Sequence, residues 1–546
     1  MQYSALILGA ASVASAWPAQ KPPTTISIPN SAPAGAGVPL ENFVSFSIEF
    51  SYFPDYAGNA SNPNTFSNNL LENIKTYSGS KPYIRVGGSS QDNVLFVPTQ
   101  TQGAILTFAS ATADQPSNLT YGPNFFQSYH TWPQTTFVHG LNLKYNTTAA
   151  HQALLASIPY ACASLRGQLL AWELGNEADL YAAFLGSAES RPASYNEAAY
   201  ISEWLNLTRS IRSALQASCS DMAKDGSFEW YALSFAASQG LSELDQVKTW
   251  NAGLDADQDL KVFASHHYQG VATNPGISLQ GTLMNHTATI ASVNYLANQS
   301  NSLHAQLSYP SDLPFILGEG NSLARQGAPG LSNSFGAALW GVDANLLMAS
   351  KNIRRFHMHQ GTNYRYQAWQ PIDTARVTKG TKAPYYGNVA VAAFLGDLTN
   401  AANRPQVVNL PLSGDLQAAY ASFVNGQLSK IMLINLQDFN ATAGNNYTSS
   451  GPRGSNTYNI QVPSSCNGKT ASVQRLIANG SDAVTGVTFD GYSYNYELDN
   501  GKPVLLKNVT RGETLRAGWG GISITIPDSS AALIDFDGKS GGWGGW

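Results

Sequence analysis

Eight short runs rich in β-branched and aromatic residues, each followed by a stretch of helical periodicity, recur between about residues 42 and 398. This alternation constrains the fold more than any other feature. The runs are Phe43 to Phe50, Pro82 to Gly88, Phe137 to Leu143, Leu169 to Glu177, Trp230 to Ala236, Val262 to Tyr268, Pro314 to Gly320 and Arg354 to Gln360. Helical stretches separate them, such as Phe66 to Tyr77, halted by Gly79 and Pro82, and Ser334 to Ser350. Eight such units predict an α/β fold, a (β/α)8 TIM barrel enlarged by loop insertions beyond the usual ~250 residues. A doubly wound open sheet would carry a Gly-rich phosphate turn after its first strand, and the run Phe43 to Phe50 has none.

From about Ala401 the texture changes to short alternating runs, Lys430 to Leu436, Gly521 to Pro527 and Ala532 to Gly538, between clusters of Gly, Asn, Ser and Pro. That pattern predicts a smaller antiparallel β-sandwich. The organisation expected is a leader at residues 1–16, an N-terminal segment 17–41 joining the β-domain, the barrel at 42–398, the sandwich at 399–538 and a Gly/Trp tail at 539–546. The alternating Thr24 to Ile28 segment is expected to add a strand to the sandwich.

The leader is an apolar stretch ending in Ala14-Ser15-Ala16, a small-x-small cleavage pattern, so the protein is expected to be secreted. Ten N-x-S/T sequons agree with export: Asn59, Asn118, Asn146, Asn206, Asn285, Asn298, Asn440, Asn446, Asn479 and Asn508. Only 12% of residues are charged and the net charge is −5, with no Lys/Arg run, which argues against nucleic acid and against a strongly sulfated polymer as partner. After Ala16 no apolar run reaches the ~18 residues of a membrane span. No cofactor is expected, and the oligomeric state is not legible. Three cysteines exclude a disulfide-dense scaffold and show no zinc spacing. Cys162 and Cys219 each end a helical segment (Thr148 to Ser164, Tyr195 to Ser218). In a barrel, neighbouring helices run parallel and end on the same side, so a Cys162–Cys219 bridge is expected, leaving Cys466 free.

Active sites of such barrels lie at the C-terminal ends of the strands. Glu49 ends the first run, Glu177 the fourth and Glu319 the seventh, with Glu173 and Glu229 as further acids near strands. Carboxylates are rarely buried unpaired, so three at one barrel mouth form a meaningful cluster; the bland alternative is structural ion pairing. Glycoside hydrolysis needs two carboxyl groups, one kept protonated and one ionised, flanking the scissile bond. The fourth and seventh strands face each other across a barrel mouth.

Trp172 to Leu180 (WELGNEADL) and Phe315 to Leu323 (FILGEGNSL) resemble the acid/base and nucleophile strands of glycosidases in which an Asn-Glu pair ends strand 4 and a Glu ends strand 7. With Ser265 to Tyr268 (SHHY), Gly318 to Phe335 and Gly361 to Tyr364 (GTNY) in the same order and spacing, the barrel resembles glycoside hydrolase family 79, the family of β-glucuronidases and heparanase. The resemblance implies a retaining exo-glycosidase releasing terminal β-D-glucuronic acid, with or without a 4-O-methyl group, from a glycan or glycoside. It implies Glu177 as general acid/base, Glu319 as nucleophile, and Asn176 on the sugar 2-hydroxyl. Tyr268 matches a tyrosine beside the nucleophile, and His266 shares its face of the strand. Glu49 matches an acid that contacts ring hydroxyls, and Tyr364 a tyrosine near the uronate carboxylate. Arg85 is placed to pair with Glu319 and lower its pKa. The chain departs from the family five and six residues after the nucleophile, where Ala324 and Arg325 replace a tyrosine-containing pair; Arg325 is a candidate substitute for the lost hydroxyl. This departure bears on the glycon, not on the catalytic pair.

His357-Met358-His359 has H-x-H spacing, which points two imidazoles one way, but no third ligand accompanies them and no metal is expected. No G-x-S-x-G elbow supports a serine hydrolase. The rival readings are a clan-related retaining glycosidase acting on a neutral glycon or within a polymer, and a non-catalytic carbohydrate-binding protein. For retention the two carboxyl groups should stand about 5–5.5 Å apart, against roughly 6.5–9.5 Å for inversion.

Overall fold

The computed structural model describes residues 22–182, 191–236, 244–442 and 451–538. The leader at 1–16, the sequon at Asn446 and the tail at 539–546 lie outside the described residues.

All eight predicted strands form, and they close in sequence order into a parallel barrel: β1 Val44–Glu49, β2 Ile84–Gly87, β3 Phe137–Leu141, β4 Leu169–Leu174, β5 Trp230–Phe235, β6 Leu260–Val271, β7 Phe315–Ala324 and β8 Phe356–Gln360. A barrel strand is covered on both faces, so it reads as continuously apolar rather than alternating. Period two nevertheless sorts the side chains. Val138, Ala171, Tyr231, Val262, Ala264 and Ile316 fill the lower interior, while Trp172, Trp230, Phe263 and Phe315 pack outward under the helices.

The boundaries differ from expectation at the mouth. β4 stops at Leu174, three residues before Glu177, and β7 runs on five residues beyond Glu319. Between β2 and β3 the chain forms a three-stranded sheet, Val94–Phe96, Ala104–Thr107 and Asn118–Tyr121, in place of a long helix. Cys162 and Cys219 form the expected disulfide, closing a separation of 57 residues; a loop of that size contributes about 4 kcal/mol in the chain-entropy account. Cys466 is free and buried.

The sandwich has a nine-stranded and a three-stranded sheet. Thr24–Ser27 joins the smaller one, pairing in parallel with Ser455–Gln461. Strands Gln417–Val424 and Gln427–Asn435 show how the larger sheet serves two cores. Ala419, Ala421, Ile431 and Leu433 face the smaller sheet, while Ala418, Tyr420, Met432 and Ile434 face the barrel. Within the core shared with the barrel lies helix Phe335–Ser350, apolar apart from Asp343, Asn345 and its last residue and almost wholly buried, with Ser334 capping Ala337 N.

Among the described sequons, Asn59, Asn118, Asn146, Asn206, Asn298, Asn479 and Asn508 are exposed, and Asn285 is a half-buried helix cap. Asn440 is buried and its amide donates to Asp438, so its geometry opposes a glycan there. No described helix is long and apolar enough to cross a membrane.

Candidate active site

Two backbone devices aim the central carboxylates. Ile316 points into the barrel, and strict alternation would send Gly318 inward and Glu319 outward. The β6–β7 register shifts there, from Ser265 opposite Leu317 to His266 opposite Glu319, and this bulge at Gly318 turns Glu319 toward the mouth. Glycine fits because a Cβ at Gly318 would already meet that of Ala264 at 3.2 Å. Glu177 instead sits in the left-handed region (φ 54°, ψ 46°), which costs a non-glycine residue roughly 1–2 kcal/mol. Its N–H donates to Ser234 O at 2.8 Å and that of Asn176 to Asp92 Oδ2 at 2.9 Å, so the turn is held from both sides.

An oxygen of Glu177, an oxygen of Glu319 and a ring nitrogen of His266 lie within 4.8 Å of one another. Oxygens that close agree with the retaining geometry, in which one carboxylate attacks directly. Arg85, fully buried, organises the floor beneath. It donates to Glu319 Oε2 (2.6 Å), Glu173 Oε2 (2.7 Å), Ser47 Oγ (3.0 Å) and Asn176 Oδ1 (2.9 Å). Because Arg85 takes the Asn176 oxygen, the amide NH2 is the end left for a ligand. Tyr268 donates to Glu319 Oε1 at 2.8 Å.

The two carboxyls are driven apart in proton affinity. Burial, and next the negative charge of Glu319, push the Glu177 carboxyl well above the carboxylate range. Burial would raise Glu319 as well, but His359, Arg85 and the Tyr268 hydrogen bond outweigh it and hold this group below its ordinary value. Arg85 and His359 are the effective cations. Burial lowers His266 to about 4, leaving it neutral, whereas Glu319 and Glu49 overcome the effect of burial on His359 and raise it. Glu177 keeps 21% of its side-chain surface open against 6% for Glu319, so the carboxyl with the raised proton affinity faces the entrance. A carboxyl that keeps its proton facing one that is ionised is an arrangement compatible with double displacement.

The other predicted residues divide. His266 Nδ1 lies 3.2 Å from Glu177 Oε1 and Tyr364 donates to Glu49 Oε2, so both join the cluster. Glu49 is a hub rather than a free acceptor. Ser90 N, Ser90 Oγ, Gln115, His359 and Tyr364 all bond its two oxygens, and it is fully buried. Contact with a ring hydroxyl requires one of these to yield. Arg325 is not brought in: its side chain is exposed, and only its carbonyl is used, by Arg365 Nη2. The reason is local, since Arg325, Gln326 and Gly327 are consecutive left-handed residues that turn the chain away beyond β7. His357 and His359 do not act together. His359 bonds Ser47 and Glu49, while His357 lies deeper, against Tyr231. Glu173 is a structural partner of Arg85, and Glu229 pairs with Lys261 at the barrel floor. Glu177, His266 and Glu319 form the one constellation of metal-ligand type among the described residues, but Arg85 and Tyr268 already donate to both Glu319 oxygens.

Asp92, Gln115 and the arginines after β8 were not legible beforehand. They lie on loops or, for Asp92, in the short 3-10 turn Ser89–Asn93, where no periodicity marks a facing side chain.

The family description "Glycosyl hydrolase family 79 C-terminal beta domain" matches residues 419–533. A beta-glucuronidase of Aspergillus niger is 49% identical over 542 residues, covering 97% of this chain and 98% of its own. One of Neurospora crassa is 45% identical over 549 residues, covering 94% and 96%. A 4-O-α-L-rhamnosyl-β-D-glucuronidase from Fusarium oxysporum 12S shares the fold, with a TM-score of 0.74, 23% identity and coverage of 94% of this chain and all of the other. A family 51 α-L-arabinofuranosidase from Bifidobacterium longum shares it more loosely, with a TM-score of 0.60, 12% identity and coverage of 95% and 100%.

Proposed function

The chain belongs to glycoside hydrolase family 79, and from that premise we infer a β-glucuronidase that works by double displacement with Glu319 as nucleophile and Glu177 as acid/base. The observation that carries the role assignment is the pair of carboxyls within 4.8 Å, biased in opposite directions by burial on one side and by Arg85 with Tyr268 on the other.

Glu319 attacks the anomeric carbon while Glu177 passes its proton to the leaving oxygen, so the glycosidic pair of electrons departs with the aglycon. The ester has no charge on Glu319. Since that charge is one cause of the raised Glu177 affinity, the acid becomes a base at the moment one is needed. Glu177 then takes a proton from water, whose oxygen displaces Glu319 and restores the β configuration. Asn176, fixed by Arg85, offers its amide to the 2-hydroxyl. Release of terminal glucuronic acid, plain or 4-O-methylated, follows the relatives' activity. Cleavage at Ala16, secretion and glycosylation of the exposed sequons belong to the same reading.

A panel of aryl β-glycosides tests the glycon. Glucuronide turnover with none of the xyloside or galactoside is expected; the reverse would favour a neutral-sugar enzyme of the same clan. A mechanism-based glycosyl fluoride should label Glu319, and a chain that turns over nothing and takes no label would be a binding protein.

A further inference from the structure

Glu177 stands in a turn whose two ends are gripped by one buried carboxylate. β4 stops at Leu174, Gly175 (φ 81°) and Glu177 (φ 54°) take the left-handed region, and a single 3-10 turn follows, Ala178–Leu180. Asp92 Oδ2 accepts from Asn176 N at 2.9 Å, immediately before Glu177, and from the Tyr181 hydroxyl at 2.5 Å, immediately after the turn. Asp92 Oδ1 accepts from Leu143 N at 3.2 Å, just beyond β3. Asp92 itself belongs to the turn Ser89–Asn93, whose Ser90 bonds Glu49, so the grip is anchored in the floor of the site.

No ion pair neutralises Asp92 among the described residues. Lys144 acts on it only at a distance, since its ammonium bonds Asn93 Oδ1 at 2.8 Å. Burial pushes the Asp92 carboxyl up to about 6, against the pull of the Tyr181, Asn176 and Leu143 donors. A buried carboxylate without a counter-ion is costly. A backbone carbonyl would satisfy Asn176 N, as Ser234 O satisfies Glu177 N. The carboxylate does more, because one oxygen spans both ends of a strained turn. We propose that Asp92 is a positioning residue for the proton donor: by holding Asn176 N and the Tyr181 hydroxyl on a single oxygen, it fixes the turn that aims Glu177 at the leaving oxygen. The proposal rests on the reading of Glu177 as acid/base. Asp92 acts through the turn, not on the substrate. Glu319 is oriented separately, by Arg85 and Tyr268, so loss of Asp92 should misplace the acid and leave the nucleophile aimed.

The test is a ratio of kcat/KM values, which report the step that breaks the glycosidic bond. Wild type, Asp92→Asn and Tyr181→Phe are measured on two β-glucuronides: an activated aryl glycoside whose leaving group departs without a proton, and an alkyl glycoside whose leaving group needs one. Asn keeps the shape of Asp but has one oxygen, so its NH2 must face one of the three donors. Asp92→Asn should lower the alkyl-to-aryl ratio at least about tenfold, with the aryl value within about threefold of wild type. Tyr181→Phe removes one donor and should lower the ratio by less; it serves if Asp92→Asn fails to fold. Loss of folded protein, or of the Asn176 contact with the 2-hydroxyl, affects both substrates alike and cancels. Labelling of Glu319 by a 2-fluoro glucuronyl fluoride, which needs neither the acid nor a 2-hydroxyl, should keep its wild-type rate. A ratio unchanged in both variants, or a labelling rate that falls in step with the alkyl activity, overturns the proposal. Glu177→Gln is the reference: if it does not itself lower the ratio, the acid/base reading fails, and the proposal with it.

Discussion

The barrel mouth and the seam between barrel and sandwich are both buried, but they treat charge in opposite ways. At the mouth Arg85, Glu173, Glu319, Glu49 and His359 share one network in which nearly every polar atom has a partner. Desolvating such charges offsets most of what their attraction contributes, so a network like this adds little net stability. The seam buries Met432, Ile434, Leu533 and nearly all of helix Phe335–Ser350, and its polar contacts are mostly between neutral groups, such as Tyr386 with Ser493 and Gln280 with Leu436 O, beside the set His286–Asp343–Tyr420. Burial of that kind stabilises at roughly 25 cal/mol per Å². The seam holds the fold, and the mouth uses the rigidity to keep two carboxyls at unequal proton affinity.

Glu319→Gln breaks the comparison most sharply. If Glu319 is the nucleophile, kcat should fall on the order of 10^5-fold, by analogy with other covalent nucleophiles, while the melting temperature moves less than in the seam variant Met432→Ala. Glu177→Gln should lower kcat/KM by about 10^2–10^4-fold on substrates with poor leaving groups and far less on activated aryl glycosides. In wild type the protonated Glu177 is lost as pH rises, which produces the alkaline limb. The depressed Glu319 displaces the acid limb to low pH. A pH profile of Glu177→Gln that kept the alkaline limb would refute the assignment, and azide should partly rescue Glu177→Ala.

Met432→Ala should do the converse, lowering stability by about 2–5 kcal/mol in denaturant melts with kcat unchanged. The smallest effect belongs to His286. Burial opposes its protonation, but the Asp343 hydrogen bond and charge raise its affinity overall. Its contribution is therefore complete below the unfolded imidazole pKa and is lost as pH rises through the higher folded one. The melting temperature of wild type should fall across that window relative to His286→Gln; parallel curves would show that the pair is energetically silent.

Much of this was written in the chain. All eight barrel strands, the β-domain, the N-terminal strand and the disulfide follow from periodicity and turn residues, because each depends on its own few residues meeting one buried layer. Glu177, Glu319 and Arg85 could be placed because strand ends converge on one face of a barrel, and Tyr268 through the family resemblance. Arg325 could not, since its fate depends on three left-handed residues whose conformation is set by Arg365 and the next loop. Nor could Asp114, which lies in a loop and whose carboxylate partners, Arg365 and Arg376, are more than 250 positions away.

Sequence by itself determined which elements form and which acids arrive at the mouth, because hydrophobic periodicity and steric limits act over neighbouring residues. Tertiary structure alone decided which side of β7 carries Glu319, through a one-residue bulge against β6. It also decided which carboxyl keeps its proton, since burial and the charge of Arg85, 234 positions from Glu319, act through space.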